Sequence, residues 1–93
     1  MVVGVLTLTL RIPEAMSLKD KRRAIRSLKD RLSGRHNVSV AEVDDLDEHR
    51  SAVMGVAMVA NDRRFVDGCL SKIVDEVRVA RSVNLVDYEI ECV

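Results

Sequence analysis

Lys19, Arg22, Arg23, Arg26 and Lys29 recur at spacings of one, three and four positions. On a helix, at about 100° per residue, such spacing gathers all five side chains within an arc of about 120°. Cations arranged in this way suit one kind of chemistry. Each can neutralise a phosphate and release a condensed counterion, so the face can follow a nucleic-acid backbone without reading its bases. The competing reading is a solvated helix face with nothing bound, because the outer faces of amphipathic helices are commonly charged. Lys21 falls on the opposite side of the same segment, between Leu28 and Leu32 on the wheel, where an unpaired buried ammonium would be costly. Either its aliphatic stem packs while its head snorkels past the end of the sheet, or it forms a specific ion pair with Glu42 that fixes helix to strand.

The other reactive residue types form no constellation. His36 and His49 stand in different loops and read as solvated side chains rather than bases. Cys69 and Cys92 lie 23 positions apart with no C-x-x-C and no His-Cys cluster, so neither a zinc site nor a redox motif is expected. Asn61-Asp62-Arg63-Arg64 could offer backbone amides and two guanidinium groups to an anion, although an ordinary capped helix start accounts for the same string. Gly4, Gly34, Gly55 and Gly68 are scattered rather than gathered into a phosphate loop. No catalytic residue, metal site or cofactor site is expected, and the chain reads as a non-enzyme.

The elements that must position these residues follow from periodicity. Residues 2–12 alternate, with Leu6, Leu8, Leu10 and Ile12 on one side and Val3, Val5, Thr7, Thr9 and Arg11 on the other, as in a strand. Pro13 breaks it, and Ser17 followed by Asp20 resembles a capping box that starts a helix with Leu18, Ala24, Ile25, Leu28 and Leu32 on its apolar side. Gly34 is the expected stop. A short strand over 37–42 should end in a solvated acidic turn over 42–48. Residues 51–60 are almost wholly apolar and suit a buried strand. Asn61 or Asp62 can cap a second helix whose stripe is Val66, Cys69, Leu70, Ile73, Val74 and Val77. Residues 83–92 alternate Val86, Tyr88, Ile90 and Cys92 inward against Asp87, Glu89 and Glu91 outward.

The order is therefore β-α-β-β-α-β. The first and third strands carry almost no charge and belong in the middle of the sheet, whereas acids on the second and fourth suit edges that must resist pairing with other chains. Right-handed crossovers then give an antiparallel sheet of order 4-1-3-2 with both helices on one face, an α+β ferredoxin-like sandwich occupying residues 1–93 as a single domain. An acyl-phosphate hydrolase of that fold would want an Arg in a glycine-bracketed anion loop after the first strand, and Ile12-Pro13-Glu14-Ala15 offers none. The uncovered sheet face would carry Val3, Val5, Val53 and Val59 with Thr7 and Thr9 between them. It reads equally as a surface for a homo-oligomer or another partner and as a thinly covered sheet. It has no aromatic residue on its central strands, so it is no platform for stacking bases.

Length and charge complete the reading. The chain has 93 residues, 47% of them hydrophobic, with one Phe, one Tyr and no Trp. A core this small buries only about 60–65% of the unfolded surface, so the domain can fold alone and gains from association. Fifteen basic and fifteen acidic residues cancel, yet the segment 11–35 alone carries a charge of +6, against −4 over 42–50 and −3 in the last strand. Whether the basic stripe is free depends on whether Glu42, Asp44 and Asp45 pair with Lys19, Lys21 and Arg22. The apolar opening of the chain is too short to span a membrane and carries no basic leader, so a cytoplasmic setting without membrane partners is expected.

The strings Ile12-Pro13, Ser17-Leu18-Lys19-Asp20-Lys21-Arg22, Asn37-Val38-Ser39-Val40-Ala41-Glu42-Val43, Gly55-Val56-Ala57 and Asn61-Asp62 together span nearly the whole chain. In them the sequence resembles the YlxP-like family of small uncharacterised bacterial proteins. The resemblance implies the ferredoxin-like fold. It also implies a place near RNA or the ribosome, since members often lie beside genes for translation initiation and ribosome maturation factors. It supplies no catalytic residue. The functional expectation is an accessory protein that meets RNA or a ribosomal particle through Lys19, Arg22, Arg23, Arg26 and Lys29. The alternative is a homo-oligomeric small-ligand or regulatory module working through the open sheet face.

Overall fold

The alternating run at the start of the chain forms β1 (Val2–Arg11), followed by α1 (Leu18–Arg35), β2 (Ser39–Asp44), β3 (Ser51–Ala60), α2 (Arg63–Arg78) and β4 (Asn84–Cys92). The computed structural model describes residues 1–93. The four strands make one antiparallel sheet in the order β2-β3-β1-β4, the expected order read from the other edge. β1 and β3 pair without interruption from Val2 opposite Ala60 to Arg11 opposite Ser51. Both edge strands shift register once, β2 between Glu42 and Asp44 and β4 opposite Thr9 and Leu10. Such bulges twist an edge and discourage pairing with another chain.

Alternation sends Leu6, Leu8 and Leu10 of β1 and Met54, Val56 and Met58 of β3 to the same face. There they form one core with Ile25, Leu28 and Leu32 of α1 and Val66, Leu70, Ile73, Val74 and Val77 of α2. Both helices therefore cover one face, α1 over β2 and α2 over β1 and β4, and the domain is a ferredoxin-like α+β sandwich. α2 approaches closely at Gly4. A Cβ there would overlap Val66 Cγ1 and lie 2.9 Å from Leu70 Cδ1. Gly4→Val should accordingly lower stability by about 1–3 kcal/mol through overpacking, read as a lower urea midpoint; an unchanged midpoint would mean that α2 can lift from β1 at no cost.

Three local expectations need correction. Gly34 does not stop α1: the helix continues through it to Arg35, and the extended residue His36 is the cap, its N–H donating to Leu32 O. No glycine in the chain has a positive φ, so this end does not use the left-handed conformation for which glycine is usually selected. β2 begins at Ser39 and runs on to Asp44, carrying the strand into the acidic run. In β4 the bulge places Leu85 opposite Leu10 and turns Val86 out, 57% exposed. Tyr88 sits opposite Leu8 on the helix side as expected, but β4 is an edge and its ring remains 42% exposed beneath the Arg78 guanidinium, 5.5 Å from the ring centroid. The contact is a cation–π pair.

Candidate nucleic-acid interface

The start of α1 is fixed reciprocally. Ser17 Oγ accepts from the Asp20 N–H at 3.2 Å, and Asp20 Oδ2 accepts from the Met16 N–H at 3.0 Å. The capping residue satisfies a donor that the first turn would leave orphaned, and the acidic partner suits the positive end of the helix dipole. With the helix phase set, Ile25, Leu28 and Leu32 go to the core together with Lys21, and the wheel's other side goes to solvent. Lys19, Arg22, Arg23, Arg26 and Lys29 are all exposed there. Lys19, Arg22, Arg23 and Arg26 border an open hollow of about 710 Å³ that has no apolar lining. Lys29 joins Arg22 and Arg26 around a second hollow of about 320 Å³ between α1 and β2.

Lys21 is handled differently. Its side chain is 1% exposed, so the ammonium does not snorkel to solvent. Nζ lies 2.7 Å from Glu42 Oε2 and donates to Asp45 O at 2.8 Å and Ser51 O at 3.2 Å, with Leu46 O at 3.5 Å. An ammonium has three hydrogens, so these acceptors saturate it. Glu42 Oε2 is buried, and Lys21 Nζ is its one polar partner. The pair supplies the charge compensation, and the backbone carbonyls of Asp45 and Ser51 accept further bonds from the same ammonium. Asp45 adopts φ 58°, a left-handed conformation that short polar residues tolerate. Lys21 in this way pins the whole β2–β3 loop against α1. Arg50 closes the same end, donating from Nε to Ala15 O at 3.2 Å. Its position in a short loop without periodicity gave no sequence signal for this bond.

No carboxylate of the acidic loop pairs with the stripe, although Glu42 lines the same hollow as Arg22, Arg26 and Lys29. Of the carboxylates of Glu42, Asp44 and Asp45, only that of Glu42 meets a basic side chain, and that side chain is Lys21. Asp44 Oδ1 accepts instead from the Asp45 N–H at 2.8 Å. The remaining contacts between basic and acidic side chains lie at the far end of α1, where Glu76 of α2 is hydrogen-bonded to His36 Nε2 at 2.7 Å and pairs with Arg35 at 3.5 Å. Lys19, Arg22, Arg23, Arg26 and Lys29 therefore have no acidic partner within 4.0 Å. His36 is also not the solvated loop residue its sequence context suggests: with its side chain 14% exposed, it joins the C-terminus of α1 to α2. His49 is exposed.

On the open sheet face, Val59 and Val43 stand exposed. Val5, Ala41, Val43, Gly55 and Ala57 surround a shallow apolar hollow of about 220 Å³. Phe65 is exposed on α2, away from this face, so no ring is offered for stacking on the central strands. Asp62, not Asn61, caps α2 through the Arg64 N–H at 3.0 Å. Cys69 and Cys92 are free thiols, each partly buried. No three His, Cys, Asp or Glu side chains converge as metal ligands would.

An antiparallel ferredoxin-like sandwich with five exposed, unpaired cations along one face of α1 defines a small α+β domain. The chain belongs to the family described as "Protein of unknown function (DUF503)", which matches residues 3–90. No curated protein matches the chain. No helix is long and apolar enough to cross a membrane.

Proposed function

We propose that the protein is a non-enzymatic cytoplasmic accessory factor that contacts structured RNA, ribosomal RNA above all, through Lys19, Arg22, Arg23, Arg26 and Lys29. The observation that carries this reading is that five exposed cations share one helix face and none is paired, in a chain whose total charge is zero. Glu42, Asp44 and Asp45, the acids expected to neutralise the stripe, meet Lys21 and their own backbone instead, and Asp30 beside the stripe forms no ion pair with it. The absence of aromatics from the open sheet favours recognition of shape and phosphate over recognition of bases. The resemblance to YlxP-like proteins, with their gene neighbourhood of translation and ribosome maturation factors, supports the ribosomal side. Cosedimentation with ribosomal particles tests it: the protein should pellet with them at low salt and be released as salt is raised. Absence from the pellet at every salt concentration would end the proposal.

A further inference from the structure

Arg81, in the turn between α2 and β4, was given no role by its sequence position. α2 ends at the same end of the sheet where α1 begins, because both meet the Arg11 end of β1. That arrangement brings Arg81 and Ser82 across from Arg23 and Ser27 of α1. The four line an open cleft of about 510 Å³ between the helix and the turn. Arg23 and Ser27 also line the hollow on the basic stripe, so cleft and stripe are continuous. Neither Arg23 nor Arg81 has an acidic partner within 4.0 Å. Two carboxylates complete the lining, Glu14 and Asp20. Asp20 already accepts the Met16 N–H as part of the helix start, whereas Glu14 is exposed and uncommitted.

We infer that this cleft is a phosphate seat at the end of the stripe, in which Arg23 and Arg81 grip one backbone phosphate from opposite walls and the hydroxyls of Ser27 and Ser82 donate to its oxygens. The inference rests on the reading of the stripe as an RNA-backbone surface and adds to it a contact from a second element. A phosphate held from two walls is fixed in position as well as attracted, because guanidinium groups bind phosphate through planar, directed hydrogen bonds. Glu14 opposes an anion there and sets the seat's affinity from its rim.

Binding of a fluorescently labelled RNA duplex, followed by anisotropy across a salt series, separates the two levels of the claim. Arg81→Glu should weaken binding about tenfold at low salt and reduce the slope of log K against log salt by about one. Glu14→Gln should tighten binding about two- to threefold by removing one repulsion. Arg64→Glu supplies the control, since it makes the same change of charge at the opposite end of the fold and should have the smaller effect. Arg81 is exposed and makes no ion pair, so its variant should melt like the wild type. Equal losses from Arg81→Glu and Arg64→Glu would overturn the seat and leave the stripe standing. Failure of the wild-type protein to bind the duplex at low salt would overturn both.

Discussion

Lys21→Met should lower the stability of the domain by about 3–5 kcal/mol, the range seen when one member of a buried ion pair is removed. The substitution keeps the length and most of the volume of the side chain, so packing against α1's apolar neighbours is nearly conserved. What is lost is the ammonium that serves Glu42 and the carbonyls of Asp45 and Ser51. Glu42 retains 17% exposure and recovers part of its hydration, which sets its share of the loss below that of a fully buried charge. The carbonyls account for the rest, since a buried acceptor left without a donor costs about 1–3 kcal/mol. Adding Glu42→Met to Lys21→Met should therefore restore stability only in part: it removes the orphaned charge but not the orphaned carbonyls. Urea unfolding of the two variants distinguishes this from a simple ion pair. Full restoration in the double variant would mean that the loop carbonyls find water unaided, and a loss below about 1 kcal/mol in the single variant would mean that the pair contributes nothing net.

Arg22→Glu combined with Arg26→Glu should reduce affinity for structured RNA by about a hundredfold at low salt, because each change removes one favourable phosphate contact and introduces one repulsive charge. Both side chains are exposed and unpaired. The fold should therefore be affected by no more than about 0.5 kcal/mol, the usual span for surface changes away from caps and pairs. Wild-type circular dichroism and melting beside lost cosedimentation would attribute the effect to the surface. Undiminished cosedimentation would place the ribosomal contact elsewhere on the protein.

Most of the fold was legible because the core is encoded by two clean periods. The leucines of β1 at every second position and Ile25, Leu28 and Leu32 of α1 leave no alternative face to bury. The near absence of charge on β1, where Arg11 at its end is the one charged residue, and on β3 fixes their central places. What periodicity could not supply was the geometry of edges and ends. The bulge that exposes Val86 breaks the alternation from which its inward orientation was read, and Gly34 looks like a helix stop only until the bond from His36 to Leu32 and the contact from His36 to Glu76 are seen to secure the end. The candidate site divides in the same manner. The stripe follows from spacing alone. That the acidic loop leaves it unpaired depends on where Lys21 takes Glu42 and the loop backbone, a matter of three dimensions. Arg81 stands in a turn with no period at all, and only the meeting of two loops at one end of the sheet brings it to Arg23.

RNA binding through α1 requires that its cations exchange counterions for phosphates. The salt dependence of wild-type binding to an RNA duplex measures this most directly, because the slope of log K against log salt counts the phosphates neutralised. With the five stripe cations engaged, the slope should be about −3 to −5, and the Arg22→Glu, Arg26→Glu variant should flatten it by about two. A slope near zero, or one unchanged by reversing Arg22 and Arg26, would mean that α1 does not bind the RNA backbone.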